Sequence, residues 1–356
     1  MVDLSFYKNK TVLVTGHTGF KGTWLCKILL LLGAKVIGYS LNKPTNPALY
    51  DFAKIDNNIV SIIGDIRDFA NLNKVFKEYN PEIVFHLAAQ PIVRESYVNP
   101  KYTFETNVMG TVNVLECVRN TSGVKSVLNV TTDKVYENNE DYSHAFKEDE
   151  PLDGFDPYSN SKSCSELVTH SYKKSFFDEL KIAVSTARAG NVIGGGDFAK
   201  DRIIPDCIRA IERGKSIEIR NPNSTRPYQH VLEPLMVYLE IAEKQYKDFD
   251  YAGYYNVGPD ECDCVNTGTL VEKFCNAWGG ITWNSVSKEG PHEANFLKLD
   301  NNKIKRVFSW QPRWHIDEAI QQIVNWTRVY FDDTESIPKE MDKEIKEYIY
   351  KSGKAN

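Results

Sequence analysis

The sequence predicts an α/β fold, in which a doubly wound, largely parallel sheet is followed by a smaller mixed α/β lobe. Three observations support this prediction. Short apolar, β-branched runs alternate with helical patterns through the first half of the chain. A glycine-rich turn joins the first run to the first helix. After Gly190 the predicted elements become shorter and mixed.

Composition limits the classes of protein that fit. The 356 residues are 42% hydrophobic and 26% charged, which is enough for a large core. The net charge of −5 and the pI of about 5.9 argue against a nucleic-acid surface. No apolar run reaches the ~20 residues of a membrane span. Seven scattered cysteines and the lack of a signal-peptide pattern predict reduced thiols in the cytoplasm. No metal site is expected, since Cys262-Asp263-Cys264 is too isolated.

The secondary structure follows from hydrophobic periodicity. Strands are predicted at residues 11–15, 35–40, 59–63, 82–90, 126–130 and 181–188, and a short later strand at 253–258. Helices are predicted in the second half within residues 202–213, 226–245, 269–278 and 316–330. Some of the later segments are expected to return to the main sheet.

The first turn has the glycine spacing GxxGxxG, at Gly16, Gly19 and Gly22, between a buried strand and a helix. Glycines permit a tight turn and let backbone N–H groups approach a pyrophosphate at the positive helix N-terminus. The context predicts a dinucleotide site in a Rossmann-like sheet, with a turn that binds nothing as the alternative. No acidic residue or arginine lies between Gly38 and Asn42, so the sequence leaves NAD and NADP both open.

Other polar residues of the first half have more than one interpretation. Asp65 follows the third strand and could bind the adenine amine or cap the helix that starts near Phe69. His86 is predicted to be a packed, hydrogen-bonded histidine and not a catalyst. Asn107 has poor helix propensity in a helical pattern, which predicts a structural partner for its amide.

Tyr158 and Lys162 are four residues apart in a predicted helix, which places them on one face. A phenol titrates near ~10, and a neighbouring ammonium group lowers that pKa by favouring the phenolate. The pair therefore predicts a base for an alcohol that is being oxidised. Thr132 and Asp133 follow the fifth strand, at the sheet edge where ligands bind, and are expected to face Tyr158. The alternative is a solvated tyrosine and lysine on a surface helix.

Three motifs carry a resemblance to a known family: TGxxGFxG around Gly16–Gly22, HLAA at His86–Ala89, and YxxxK at Tyr158–Lys162. Together they resemble the extended short-chain dehydrogenase/reductase family that acts on nucleotide sugars. Longer strings resemble its 4,6-dehydratases for CDP-glucose, and they cover nearly the whole chain: Thr132–Lys134, Asp156–Lys162, Ala187–Asp197, Asp201–Asp206, Arg226–Pro234, His292–Ala294 and Leu297–Asp300. Tyr228 departs from the pattern, which has tryptophan there, and Thr131 and Val135 also depart.

The resemblance implies an NAD-dependent hydro-lyase. Tyr158 would remove the O4 proton while hydride leaves C4, Lys162 would hold the ribose, and Thr132 would bind the O4 region. Asp133 would be the acid at the 6-hydroxyl. Lys134 occupies the place of the C5 base, with a charge partner of Asp133 as its alternative role; a lysine acts as a base only if its pKa falls. Rival interpretations are another dehydratase or an epimerase of the family, or a non-catalytic dinucleotide-binding protein.

Further site residues come from the same resemblance. Those expected to bind the cofactor are Gly16, Thr18, Gly19, Phe20, Lys21, Gly22, Ser40, Asp65, Ile66, Leu87, Ala88, Ala89, Gln90, Thr106, Tyr158, Lys162 and Arg188. Those expected to bind the nucleotide sugar, CDP-glucose, are Gln90, Thr132, Asn191, Arg202, Arg226, His230 and His292.

The pattern of elements predicts an organisation of the chain, and the resemblance adds an oligomer. Residues 1–190 are expected to form the NAD-binding domain and residues 191–335 an interleaved nucleotide-sugar lobe. Residues 336–356 are expected to form a polar tail that is a loose helix or frays. A homodimer or homotetramer is expected, paired through helices within 101–119 and 158–177.

Overall fold

The computed structural model describes residues 3–141, 143–286 and 296–350. Within these ranges, seven strands form one sheet with every neighbouring pair parallel. They are β1 (Thr11–Thr15), β2 (Lys35–Ser40), β3 (Val60–Ile63), β4 (Ile83–His86), β5 (Ser126–Thr132), β6 (Ala183–Ala189) and β10 (Tyr254–Val257). The order across the sheet is β10-β6-β5-β4-β1-β2-β3, which confirms the predicted doubly wound architecture.

Five further strands of the described residues lie outside this sheet: β7 (Asn191–Ile193), β8 (Ile217–Ile219), β9 (Thr225–His230), β11 (Cys264–Asn266) and β12 (Trp283–Ser285). Strand β9 pairs with β7 in parallel and with β11 in antiparallel orientation, and β8 pairs with β12. These two small sheets form the mixed part of the fold, as the change of pattern after Gly190 predicts.

Helices cover both faces of the main sheet. They are α1 (Phe20–Leu31), α2 (Leu49–Ala53), α3 (Phe69–Tyr79), α4 (Val93–Val98), α5 (Pro100–Phe104), α6 (Gly110–Arg119), α7 (Pro157–Tyr172), α8 (Asp178–Leu180), α9 (Ile203–Glu212), α10 (Leu232–Lys247), α11 (Thr267–Trp278), α12 (Asn302–Phe308), α13 (Ile316–Asp332) and α14 (Ile337–Tyr350). One core packs α1, α10 and α14 against one face, and a second packs α3, α6 and α7 against the other. A third core lies between α9, α11 and α13.

Two segments of the second half return to the part of the fold that the first half builds. Strand β10 extends the main sheet beside β6, with Tyr254 opposite Thr186 and Val257 opposite Ala189. The C-terminal helix α14 differs from the expected loose tail, because Ile337, Met341 and the following Ile345 are buried in the first core. This apolar stripe, spaced by about four residues, explains why the helix packs. Among the described residues, none of the helices combines the length and hydrophobicity that crossing a membrane requires.

Candidate active site

The glycine turn closes tightly on itself between β1 and α1. Gly16 has φ +79°, and a Cβ added to it would lie 2.8 Å from the Ala88 nitrogen. A Cβ on Gly22 would lie 2.1 Å from the Gly16 carbonyl oxygen, so a larger residue forces the backbone apart. Gly19 precedes the first residue of α1, and no side chain caps that helix. The free N–H groups of the first turn are therefore in the arrangement that suits an anion.

Side chains at the end of β2 line the next part of this groove. Thr18 and Ser40 lie 2.8 Å apart through their hydroxyl oxygens, and both are buried. The Asp65 carboxylate is held by the Arg67 guanidinium at 2.7 Å, so it is already paired. Asp65 does not cap α3; the cap is Asp68, whose side chain accepts from the Asn71 N–H.

Ile66 belongs to the hydrophobic core of the α3 face. Its Cδ1 atom would lie 2.4 Å from a Cβ added to Gly110. Because the Ile66 side chain packs in this core, only the backbone of Ile66 is left to contact a cofactor.

The residues after β4 divide into two groups. Leu87 and Ala89 line the central cavity, as a cofactor-facing wall would. The Gln90 side chain instead bonds the backbone of Ile92 and the Thr103 hydroxyl, at 2.6–3.1 Å. The Gln90 side chain is buried and its polar atoms are used by these neighbours, so the structure does not place it in the cavity wall with Leu87 and Ala89.

Two structural predictions for this region are confirmed. His86 is buried and hydrogen-bonds to the hydroxyls of Thr15 and Thr111, and burial lowers its pKa to about 3. The Asn107 amide donates to the Gln90 carbonyl oxygen and to the Ser161 hydroxyl. These bonds explain why a poor helix former is used at this position.

Beyond the glycine turn lies a cavity of ≈ 410 Å³. Thr132, Asp133 and Lys134 line it from the end of β5, and Tyr158 and Lys162 line it from the first two turns of α7. Helix α7 begins where the sequence indicates, because Asp156 accepts from the Ser159 N–H and Pro157 occupies the first helical position. The structure therefore brings all five predicted catalytic residues to one cavity.

Tyr158 does not have the lowered pKa that the sequence suggests. Burial raises the pKa of the phenol to about 12; Asp133 and Asp156 add to the rise, whereas Thr132 and Arg202 act against it. The Lys162 ammonium donates to the Val130 carbonyl oxygen at 3.0 Å, and burial lowers its pKa to about 8. The expectation is wrong for the protein without ligands, because the desolvation of a buried phenol outweighs the neighbouring positive charges.

Asp133 is placed to give a proton to a ligand. Its Oδ1 atom accepts from the Thr132 hydroxyl at 3.0 Å, whereas its buried Oδ2 atom makes no hydrogen bond in the described part of the chain. Burial raises its pKa, and the nearby Lys134 and Arg226 act against that rise. A carboxyl group with a raised pKa and an unused oxygen suits a general acid.

The residues expected to bind the sugar nucleotide fall into three sets. Asn191, Arg202 and Arg226 line the cavity, and Arg202 is held by Asp197 at 3.0 Å. His292 lies outside the described residues. His230 does not reach the cavity and needs a correction.

The His230 imidazole is fully buried against α14. Its Nε2 atom lies 3.0 Å from the Glu344 carboxylate, its Nδ1 atom accepts from the Leu232 N–H, and its ring packs on Trp314. His230 is therefore a structural residue, and its predicted substrate contact is contradicted.

Arg188 is also a structural residue. Its guanidinium forms a buried ion pair with Glu166 at 3.0 Å and donates to the Tyr136 hydroxyl and the Glu148 carbonyl oxygen. Its side chain turns toward α7 and away from the cavity lining. The predicted cofactor contact of Arg188 is therefore contradicted; an arginine at the end of a central strand needs a buried anion, and Glu166 supplies it.

The cavity wall contains polar residues to which sequence reasoning gave no role. They include Arg94, Asp197, Asp201, Glu218, Arg220 and Tyr228. Asp197, Asp201 and Tyr228 lie within strings quoted for the family resemblance, but no local spacing links them to the site. They meet only because loops from both halves of the chain close around the same space.

The residues fit a bound dinucleotide. The turn at Gly16 and Gly22 leaves no room for a side chain, which is the requirement of a backbone that contacts a pyrophosphate. Thr106, which is expected to contact the cofactor, has a buried hydroxyl with no hydrogen-bond partner within the described ranges. Such an orphaned group indicates a missing polar partner.

The family profile described as GDP-mannose 4,6 dehydratase matches residues 13–323. The chain belongs to this family. A CDP-glucose 4,6-dehydratase from Salmonella typhimurium is 45% identical over 337 residues, which cover 93% of this chain and 94% of that protein. A CDP-paratose 2-epimerase from Salmonella typhi is 25% identical over 343 residues, which cover 89% of this chain and 98% of that protein.

Two solved structures illustrate that other proteins have the same fold. A dTDP-glucose 4,6-dehydratase from Bacillus anthracis, in complex with NAD, matches with a TM-score of 0.76 and 23% identity, covering 93% of this chain and 99% of that one. A UDP-glucose 4-epimerase from Thermus thermophilus, also in complex with NAD, matches with a TM-score of 0.77 and 23% identity. The match covers 89% of this chain and 99% of that one. The predicted Rossmann-like fold is confirmed by these matches.

Proposed function

We propose that the chain is an NAD-dependent hydro-lyase that converts CDP-glucose to CDP-4-keto-6-deoxyglucose and water. The observation that carries the proposal is the convergence of Thr132, Asp133, Lys134, Tyr158 and Lys162 on one cavity next to the glycine turn. The 45% identity to a protein named CDP-glucose 4,6-dehydratase supports CDP-glucose as the substrate.

The first step is the oxidation of the sugar at C4, and it uses Tyr158, Thr132 and Lys162. Tyr158 takes the O4 proton, and the Thr132 hydroxyl, which acts on that phenol, holds the sugar oxygen. Lys162 holds the ribose, and its positive charge favours the phenolate when the site is filled. A bound NAD would supply the redox chemistry, by taking up a hydride from C4 and giving one back to C6.

Elimination follows because a C4 ketone acidifies the C5–H bond. Asp133 gives its proton to the leaving 6-hydroxyl, and a basic side chain of the cavity takes the C5 proton. The family resemblance makes Lys134 a candidate for that base, and a charge partner of Asp133 is its alternative role. Asn191, Arg202 and Arg226 bind the rest of the nucleotide sugar in this proposal.

NAD is preferred to NADP for a reason visible at the end of β2. A 2′-phosphate needs a cation near the ribose. Lys43, which follows Ser40 closely in the chain, is paired with Asp51 at 2.6 Å. The buried Thr18 and Ser40 hydroxyls suit an uncharged ribose better.

Two further parts of the proposal are the oligomer and the location. Met109 and Leu167 are about half exposed on the segments expected to pair, and apolar side chains of this size favour burial between subunits. We propose a homodimer or homotetramer, to be tested by light scattering of wild type and Leu167→Glu. A cytoplasmic location stays a prediction.

A product assay tests the function. Purified protein is incubated with CDP-, dTDP-, UDP- and GDP-glucose, and the 4-keto-6-deoxy product is measured by NMR. We expect product from CDP-glucose, loss of activity in Tyr158→Phe with an unchanged fold, and full activity in Tyr350→Phe, an exposed tyrosine outside the cavity wall.

Each rival interpretation has its own outcome in this assay. If only a sugar nucleotide other than CDP-glucose gives the 4-keto-6-deoxy product, the protein is another dehydratase. If the product is a sugar with inverted configuration at C4, the protein is an epimerase. A protein that is inert on all four sugars and binds NAD would be a non-catalytic relative.

A further inference from the structure

Three side chains that can bind a metal ion meet at the start of α13. Cys262 and Asp263 belong to the short turn Glu261–Asp263, and His315 directly precedes the helix. A sulfur, a carboxylate oxygen and a ring nitrogen of these three residues all lie within 4.8 Å of one another. Among the described residues, this is the one group of three or more such side chains that is close enough to hold an ion. None of the three lines the central cavity.

The spacing of the ligand atoms is close to that of a zinc site. The His315 Nδ1 atom lies 2.8 Å from Asp263 Oδ2 and 4.0 Å from Cys262 Sγ. Tetrahedral ligands at the usual zinc bond lengths lie about 3.3–3.7 Å from one another. Moving each atom by less than about 1 Å therefore admits the ion between them.

Asp263 is already oriented for this role. Its side chain is 4% exposed, and its Oδ1 atom accepts from the Ile316 N–H at 2.9 Å. That bond fixes the carboxylate and aims Oδ2 at His315, as an outer-shell hydrogen bond does for a metal ligand. The His315 side chain is 50% exposed and Cys262 is exposed, so an ion and a water molecule can enter from solvent.

The charges around the three residues favour a cation. The hydrogen bond with Asp263 raises the pKa of His315, and the charges of Asp263, Glu318 and Asp260 add to the rise, whereas partial burial opposes it. Lys305 offsets part of this negative field through its ion pair with Asp260. A thiolate and a carboxylate together balance the two charges of a divalent ion, so the occupied site is neutral.

We propose that Cys262, Asp263 and His315 form a binding site for Zn²⁺, with water as the fourth ligand. The mixed sulfur, nitrogen and oxygen set suits zinc, whereas Mg²⁺ and Ca²⁺ prefer oxygen ligands alone. Binding forms bonds from Sγ, Oδ2 and Nδ1 to the ion. It releases the Cys262 thiol proton and the proton shared by Asp263 and His315 to solvent.

The ion would join two parts of the chain that are distant in sequence. The sequence predicts no metal site, because no further ligand stands near Cys262 and Cys264. The fold supplies the third ligand, His315, from 52 positions beyond Asp263. Strand β11 begins directly after the turn and pairs with β9, so the ion would tie this small sheet to the start of α13.

Metal titration of the untagged protein tests the proposal. The chain is kept reduced and stripped with a chelator, and Zn²⁺ binding is then measured by isothermal titration calorimetry. We expect one Zn²⁺ per chain, and at least about tenfold weaker binding in Cys262→Ser and in His315→Gln. With Co²⁺ as the probe, wild type should show a thiolate-to-cobalt absorption band that Cys262→Ser lacks.

Two variants are matched controls for these changes. Cys264→Ser alters the neighbouring cysteine, whose sulfur contacts the Asp260 carbonyl oxygen instead of the cluster. His144→Gln alters another histidine paired with a carboxylate, at 2.7 Å from Glu150, that is not part of this cluster. Both variants should bind Zn²⁺ with wild-type affinity. Zn²⁺ should also raise the Tm of wild type and of both controls, but not that of Cys262→Ser.

The refuting outcomes do not depend on the proposed catalytic function. Absence of Zn²⁺ binding in wild type refutes the site, and so does wild-type affinity in Cys262→Ser, because the thiolate is then not a ligand. Equal loss in His144→Gln and His315→Gln would show adventitious binding to surface histidines and also refutes it. Cys262→Ser changes only an exposed side chain, so a failure to fold does not obscure the result.

Discussion

Breaking the buried ion pair between Arg188 and Glu166 should lower the stability of the protein strongly. The two side chains are 4% and 1% exposed, with 3.0 Å between Nη2 and Oε2. Glu166 also accepts from the hydroxyls of Thr131 and Thr186. Arg188→Met keeps an unbranched side chain but leaves the carboxylate without its cation, and the loss of one partner of a buried pair costs about 3–5 kcal/mol.

Urea unfolding at fixed protein concentration measures this loss. The matched control is Arg119→Met, which removes a surface pair with Glu116 at 2.8 Å and should cost less than about 1 kcal/mol. Adding Glu166→Gln to Arg188→Met removes the uncompensated charge and should recover part of the loss. A cost below about 1 kcal/mol for Arg188→Met would refute the reasoning. A weaker affinity for NAD with unchanged stability would restore the cofactor role that the structure contradicts.

Three other predictions concern the site and the sheet. Asp133→Asn should slow elimination by about 10²-fold or more while C4 oxidation continues, so NADH accumulates in a single turnover; absence of NADH would contradict the roles proposed here. Gly22→Ala should weaken NAD binding at least about tenfold, measured by fluorescence titration, because the new methyl group would lie 2.1 Å from the Gly16 carbonyl oxygen. His86 has a lowered pKa of about 3, so it stabilises the fold above pH 6.5 and this contribution is lost as the pH falls toward 3, by up to about 1.4 kcal/mol per pH unit. An equal acid sensitivity in His86→Gln would contradict that assignment.

Much of the fold follows from local sequence signals. The predicted strands at 11–15 and 35–40 agree with β1 and β2, because short apolar runs in a parallel sheet are buried on both faces. The start of α7 at Pro157 follows from the capping side chain of Asp156. Such signals lie within a few residues of each other, so a sequence shows them directly.

The errors concern partners that are distant in the chain. His230 and Glu344 meet across the protein, and nothing near His230 in the sequence indicates a carboxylate on the last helix. Arg188 stands at the end of a strand, where a ligand contact is reasonable, but its charge is used by Glu166. Burial decides the Tyr158 phenol pKa, and burial is a property of the folded protein.

The pairing of β10 with β6 has a consequence for the protein during its synthesis. The ribosome releases the amino-terminal half first. One edge of the strand Ala183–Ala189 therefore stays unpaired until Tyr254–Val257 has been synthesised. An unpaired strand edge recruits strands from other chains. A nascent chain halted between those two strands should therefore aggregate or require a chaperone. A chain that extends past residue 257 can cover that strand edge with its own β10.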